Sequence, residues 1–237
     1  MEIEKPEKLS ESLISSVINE STSDALVDLS ESVVDGAIES ILESDTLVKV
    51  PVVGFIVGFT KGVLSFRDRM YVSKILSFLS ETAKASEEDK RKYQEKLDKD
   101  PKECRKAGYV LLDLIDKVTS NEKAVMIGKV FRAFMREDFT PDKMMHLCEI
   151  IERTYLQDLK SLSNPNARKN ASNLESVGIK KPIRHEEINQ AIETAVEKAK
   201  MSSGIHDKYD LMRLNTNVKE SGLTPEGDEL RRILANY

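Results

Sequence analysis

Tryptophan is missing from this chain, and phenylalanine and tyrosine bring the aromatic share to only 5%. Glycine and proline are also scarce, while leucine, isoleucine, valine, glutamate, lysine and serine are common, a balance that favours an all-α protein. Cysteine occurs twice, as Cys104 and Cys148. That excludes a disulfide framework, offers no metal-ligand spacing and fits a reducing compartment. An excess of positive charge is lacking too, with 36 lysines and arginines against 41 acids and a formal charge of −5. This argues against a general nucleic-acid binder, and no duplex DNA partner is expected. The opening MEIEKPEKLSES is polar and acidic, so no signal peptide is expected. No Ser/His/Asp set, HExxH or P-loop occurs. The chain is therefore read as a non-enzyme, with no catalytic residue, metal or cofactor.

Long hydrophobic runs are absent except for one, LVKVPVVGFIVGFTKGVLSF at residues 47–66. Pro51 fits the first turn of a helix, so a helix is expected from about Val50, with Asp45 or Thr46 as its cap. It reaches Phe66 and continues through Met70 and Tyr71. The 17 residues from 50 to 66 span about 26 Å, slightly short of a hydrocarbon core of about 30 Å. Gly54, Gly58 and Gly62 recur every fourth residue on one face, a small-xxx-small pattern that allows close helix approach in a bilayer. Lys61 shares that face and would look into a partner helix or a watery pore. Arg67, Arg69 and Lys74 follow and mark the cytoplasmic side. The alternative is a buried helix at the centre of a soluble bundle.

Residues 9–45 hold nine acids and no lysine or arginine. Apolar residues recur at helical spacing there, while Asp24, Asp28, Glu31, Asp35 and Glu39 fall three or four apart on another face. Carboxylates at that spacing repel by about 0.2–0.5 kcal/mol per pair. The stripe is read either as a solvated face or as a lining for a cation path beside the glycine helix.

Residues 71–163 read as a compact helical bundle. Ser86, Pro101, Ser120 or Asn121, and Thr140-Pro141 mark helix starts. The helix after Thr140 is expected to run through Tyr155 to Leu159, with Cys148 in the core. Lys90-Arg91-Lys92 is read as a solvated face. His146 and Cys148, two apart, point to different faces and are poor metal partners. The basic neighbours of Cys104 would favour its thiolate, but no partner for a redox role stands nearby. Residues 164–184 read as a linker, where Arg168, Lys169, Lys180, Lys181 and Arg184 form either a solvated stretch or a patch for phosphates or anionic headgroups. In the last segment, 185–237, a helix over 185–202, a strand over 209–214 and a capped helix over 228–235 would suit a small winged-helix-like module.

The phrases KVPVVGFIVGFTKGVLSFRDRMYVSKILSFL, GKVFRAFMREDFTPDKMMHLCEIIERTYLQDLKSL and LTPEGDEL resemble those of a broad group of bacterial helical proteins. The resemblance implies a bacterial source and a role in phage defence, where membrane effectors gated by a small nucleotide or oligonucleotide occur. No catalytic residues carry over from it.

The expectation is thus an all-α protein in five parts. These are an acidic amphipathic region (1–46), the apolar glycine helix (47–70), the bundle (71–163), the linker (164–184) and the terminal module (185–237). Its expected function is an oligomeric inner-membrane channel or pore with a cytoplasmic C-terminal part. The alternative is a soluble, cytoplasmic helical interaction, adaptor or immunity protein.

Overall fold

The computed structural model describes residues 4–19, 26, 49–59, 65–99, 101–162, 173–181, 193–194, 197 and 222–235. Among them the chain is helical: α1 (Glu4–Ile18), α2 (Pro51–Phe59), α3 (Phe66–Thr82), α4 (Glu87–Lys99), α5 (Pro101–Lys117), α6 (Asn121–Met135), α7 (Pro141–Arg153), α8 (Leu156–Ser161) and α9 (Pro225–Ala235). One antiparallel bridge, Lys180 to Leu223, is the extended pairing described. The expected helix over 185–202 and strand over 209–214 fall largely or wholly outside the described residues, as does the acidic stripe Asp24, Asp28, Glu31, Asp35 and Glu39.

The centre of the fold is the second half of α3. Every residue from Val72 to Thr82 is buried, so this stretch has no solvent face. A helix buried all round needs packing partners on each side. Its serines make that feasible, because Ser73, Ser77 and Ser80 occupy little volume and are themselves buried. The principal partner is α6. Gly128 lies at the closest approach, where an added Cβ would stand 2.9 Å from both the Phe78 carbonyl and the Glu81 Cβ. Beside it Arg132 and Glu81 form a buried ion pair, with Nη2 to Oε1 2.9 Å. Lys84 completes the cluster at 3.0 Å from the other carboxylate oxygen. Phe78, Tyr93 from α4, Phe131 and Phe134 form a connected aromatic group with centroids 5.4 to 6.0 Å apart in tilted and edge-on contacts.

Local signals set several helix starts where the sequence placed them. Ser120 accepts from the Lys123 N–H and Thr140 from the Lys143 N–H, with Pro141 in the first turn. Ser86 accepts from the Asp89 N–H at 3.1 Å. Pro101 opens α5. The last helix begins at Pro225, three residues before the expected start, because Thr224 caps it by accepting from the Gly227 N–H at 3.0 Å.

Two readings are corrected here. The helix after Thr140 stops at Arg153. Thr154 is extended, with its hydroxyl donating to the Ile150 carbonyl at 2.6 Å, and Tyr155 is left 67% exposed instead of lining the core. Lys90 is buried and donates to Glu87 at 3.0 Å, so only Arg91 and Lys92 of that basic triplet lie on a solvated face.

Cys148 is fully enclosed, and burial, reinforced by the Glu149 charge, pushes its thiol up to about 12. Peptide mapping after alkylation at about pH 8 is expected to leave Cys148 unmodified until denaturant is added, because the thiolate is the reactive form. Gly128→Leu is expected to destabilise the fold by at least about 1–3 kcal/mol in denaturant titration, since the backbone of α3 would have to move to admit the side chain.

Candidate functional site

The apolar run does not form the helix expected of it. Its first residues are part of the core, since Val50, Val52 and Val53 are buried in the same cluster as Leu13, Ile14 and Val17 of α1. The start of α2 is satisfied from α1 as well. Ser16 Oγ accepts from the Val52 N–H at 3.0 Å while donating to the Ser12 carbonyl. The expected caps Asp45 and Thr46 lie outside the described residues.

The run is interrupted at its far end. Ser65 is extended (φ −66°, ψ 164°) and starts a new helix, α3, through a capping box with Asp68. The Asp68 carboxylate accepts from the Ser65 N–H at 3.0 Å and the Ser65 hydroxyl at 2.6 Å, and these bonds hold its pKa below the usual carboxylate range. Counted to the residue before Ser65, a helix from Pro51 would reach only about 21 Å, against about 30 Å of hydrocarbon. Among the described residues, no helix is long and apolar enough to cross a membrane. That overturns the inner-membrane channel, its transmembrane helix and the orientation argued from Arg67, Arg69 and Lys74.

Lys74 has another role. It is buried and donates to the Asp116 and Val118 carbonyls at 2.6 and 3.1 Å, at the end of α5. Burial lowers its pKa, with Asp116 opposing that shift.

Of the residues proposed for a pore helix, Gly54 and Gly58 lie on α2, whereas Lys61 and Gly62 lie outside the described residues. Gly58 is exposed, and a Cβ added to it would meet nothing within 4 Å. Among the described residues it therefore meets no tight helix crossing.

The basic stretch is only partly placed. Arg168, Lys169 and Arg184 lie outside the described residues. Lys180 and Lys181 sit in a turn over 173–181 whose Leu174 and Ile179 are fully buried, so this part of the presumed linker is packed. The Lys181 N–H donates to Gly222 and the Thr224 N–H to Ile179, which ties the turn to the start of α9. An open groove of about 470 Å³ lies there, lined by Lys181, Leu223, Thr224, Pro225, Asp228 and Arg231. Arg231 is engaged by Asp228 at 2.7 Å, and Glu226 also stands in the first turn. The groove mixes both signs and does not concentrate positive charge on an anion.

A surface that the sequence reading missed lies at the start of α3. Phe66 is 81% exposed and Met70, one turn on, is 41% exposed. Arg67 and Arg69 beside them are exposed. From Tyr71 onward the helix turns inward. The Tyr71 hydroxyl lies 3.4 Å from the Leu112 carbonyl, and burial with Asp116 and Asp113 nearby raises its pKa. Tyr109 on α5 is 39% exposed. The signal that would have found this surface is Ser65-Phe-Arg-Asp68, a helix start that removes Phe66 and Met70 from the preceding run.

No family model, no curated protein and no solved structure matches the chain. Among the described residues no group of three or more His, Cys, Asp or Glu side chains is arranged to hold a metal.

Gly58→Ala is expected to raise stability by up to about 1 kcal/mol in denaturant titration, because an exposed helical glycine carries only its backbone entropy cost. A loss of stability would mean that the bare face is packed after all.

Proposed function

We propose that this chain is a helical interaction protein, of the adaptor or immunity kind, which acts by binding and carries its contact surface at the start of α3. One observation carries the reading: Phe66 and Met70 stand exposed one turn apart, beside Arg67 and Arg69, on a helix whose remainder is buried. Single exposed apolar residues are ordinary on protein surfaces. Here, however, an aromatic, a methionine and two arginines share the first turns of one helix, and these are residue types enriched at protein interfaces. Leaving a phenylalanine in water forgoes roughly 1.5–3 kcal/mol that its burial would contribute. A partner seated on it would recover much of that.

The rigidity of the support favours the same role. α3 is held at its start by the capping box and further along by packing on every side. An interface residue on such a helix is presented with little ordering cost on binding.

The test is photocrosslinking in the native host, with benzoylphenylalanine replacing Phe66 and, as a control, Arg91 on the exposed face of α4. A defined crosslinked complex from position 66 and none from position 91 is the expected result. The variant Phe66→Ser with Met70→Ser is expected to lose partner binding while its folding free energy stays within about 0.5 kcal/mol of the parent, as for other surface substitutions. Equal crosslinking from both positions, or global unfolding of the double variant, would overturn the proposal.

A further inference from the structure

We infer that the Phe66 surface is a two-fold contact with a second copy of this chain, in which Arg67 of each subunit meets Asp116 of the other. The inference rests on the interaction role proposed above and specifies what binds there.

Helix geometry sets the layout of the patch. Phe66, Met70 and Lys74 are four residues apart, so they follow one another along a single line on α3. Arg67 is exposed beside the start of that line. At the far end Lys74 turns inward and donates to the Asp116 carbonyl at 2.6 Å, which brings the end of α5 against α3 one turn past Met70. The Asp116 charge is felt at the same place. It adds to burial in raising the Tyr71 pKa and opposes burial at Lys74. The patch thus has a guanidinium at one end, Phe66 and Met70 in the middle and a carboxylate at the other end. Positions 67 and 74 stand about 10 Å apart along the helix axis.

The other charges nearby are occupied. The Asp68 carboxylate is turned back onto Ser65 by two hydrogen bonds. Arg69 is engaged within the chain, and Asp113 pairs with Lys117 at 2.6 Å. Arg67 acts on Asp68 and Lys74 through its charge. Its guanidinium and the Asp116 carboxylate are both exposed, and neither makes a hydrogen bond or ion pair among the described residues.

A surface that carries its own complement fits a second copy. A two-fold axis through the apolar middle sets the two α3 starts antiparallel, so each guanidinium arrives at the other subunit's carboxylate while the Phe66–Met70 lines cover each other. A partner of one sign would satisfy one end of the patch and be repelled at the other. The patch is small beside the roughly 800 Å² per partner of a stable complex, so the contact belongs among weak, transient interfaces.

Sedimentation velocity of the full chain from about 5 to 500 µM is expected to show a monomer–dimer equilibrium. Arg67→Glu and Asp116→Arg are each expected to weaken it about tenfold, because each sets like charges against one another at both contacts. Mixed in equal amounts, the two variants are expected to recover the parent's association, since every contact then joins opposite charges. Misfolding cannot imitate that recovery. Asp116→Asn, which removes only the charge, should weaken association by a smaller factor if the arginine disturbs the fold. Dimers that survive Phe66→Ser with Met70→Ser, or a mixture no stronger than its components, would overturn the inference. A chain that stays monomeric throughout while position 66 crosslinks to a different protein would keep the interaction surface and remove the second copy as its partner. Phe66-dependent binding of the monomer to phosphatidylglycerol vesicles would overturn it in favour of lipid. No association, together with no crosslink from position 66, would remove both the partner and the surface.

Discussion

The crossing of α3 and α6 is the contact on which the rest of the structure depends. It needs two things at once: a residue without a side chain at position 128, and a carboxylate and a guanidinium that neutralise each other inside the protein. Glu81 and Arg132 are both nearly inaccessible, and burial draws the Arg132 pKa down while Glu81 opposes it. Removing one member of such a pair leaves a charge in a poor dielectric and is typically worth about 3–5 kcal/mol, whereas exchanging both for apolar groups can be neutral. The pair is thus better understood as fixing which faces of the two helices meet than as a large net source of stability. Lys84 on the solvent side lets the carboxylate serve two cations.

A second constraint concerns helix ends. Glycine, the usual residue just past a helix C-terminus, is scarce in this sequence, and Val118, Thr154 and Asn236 follow α5, α7 and α9 instead. The last carbonyls are met by lysines from neighbouring helices. Lys74 reaches the end of α5, Lys123 the Glu152 carbonyl of α7 at 2.7 Å, and Lys129 the Leu234 carbonyl of α9 at 3.3 Å. Each ammonium sits where the helix dipole favours a cation. Burial lowers all three pKa values, opposed by Asp116, Glu152 and Glu81 respectively.

These two constraints explain which parts of the fold could be read from the chain. Helix starts depend on residues within four positions of one another, so Ser86, Pro101, Ser120 and Thr140-Pro141 were legible, and so was the burial of Cys148. The Ser65–Asp68 start is equally local, but the apolar run before it drew the helix through it. That one misreading joined a core segment and an exposed edge into a single membrane span. The lysine contacts and the Glu81–Arg132 pair join residues 29 to 105 apart, and their individual residues look like any solvated charges. Lys74 was assigned to the surface for that reason. The Phe66 surface was hidden by the same error, since its residues were assigned to an interior.

The lysine contacts also bear on how the protein comes apart. Each of these helix ends is met by a side chain from a different helix, so fraying of α5 or α7 takes carbonyl partners from a buried lysine on α3 or α6, and fraying of α9 takes one from the half-buried Lys129. The terminus that would ordinarily open first is thereby coupled to the central helices. In hydrogen exchange such a chain should lose protection at its helix ends together with its middle, as one cooperative unit and not turn by turn.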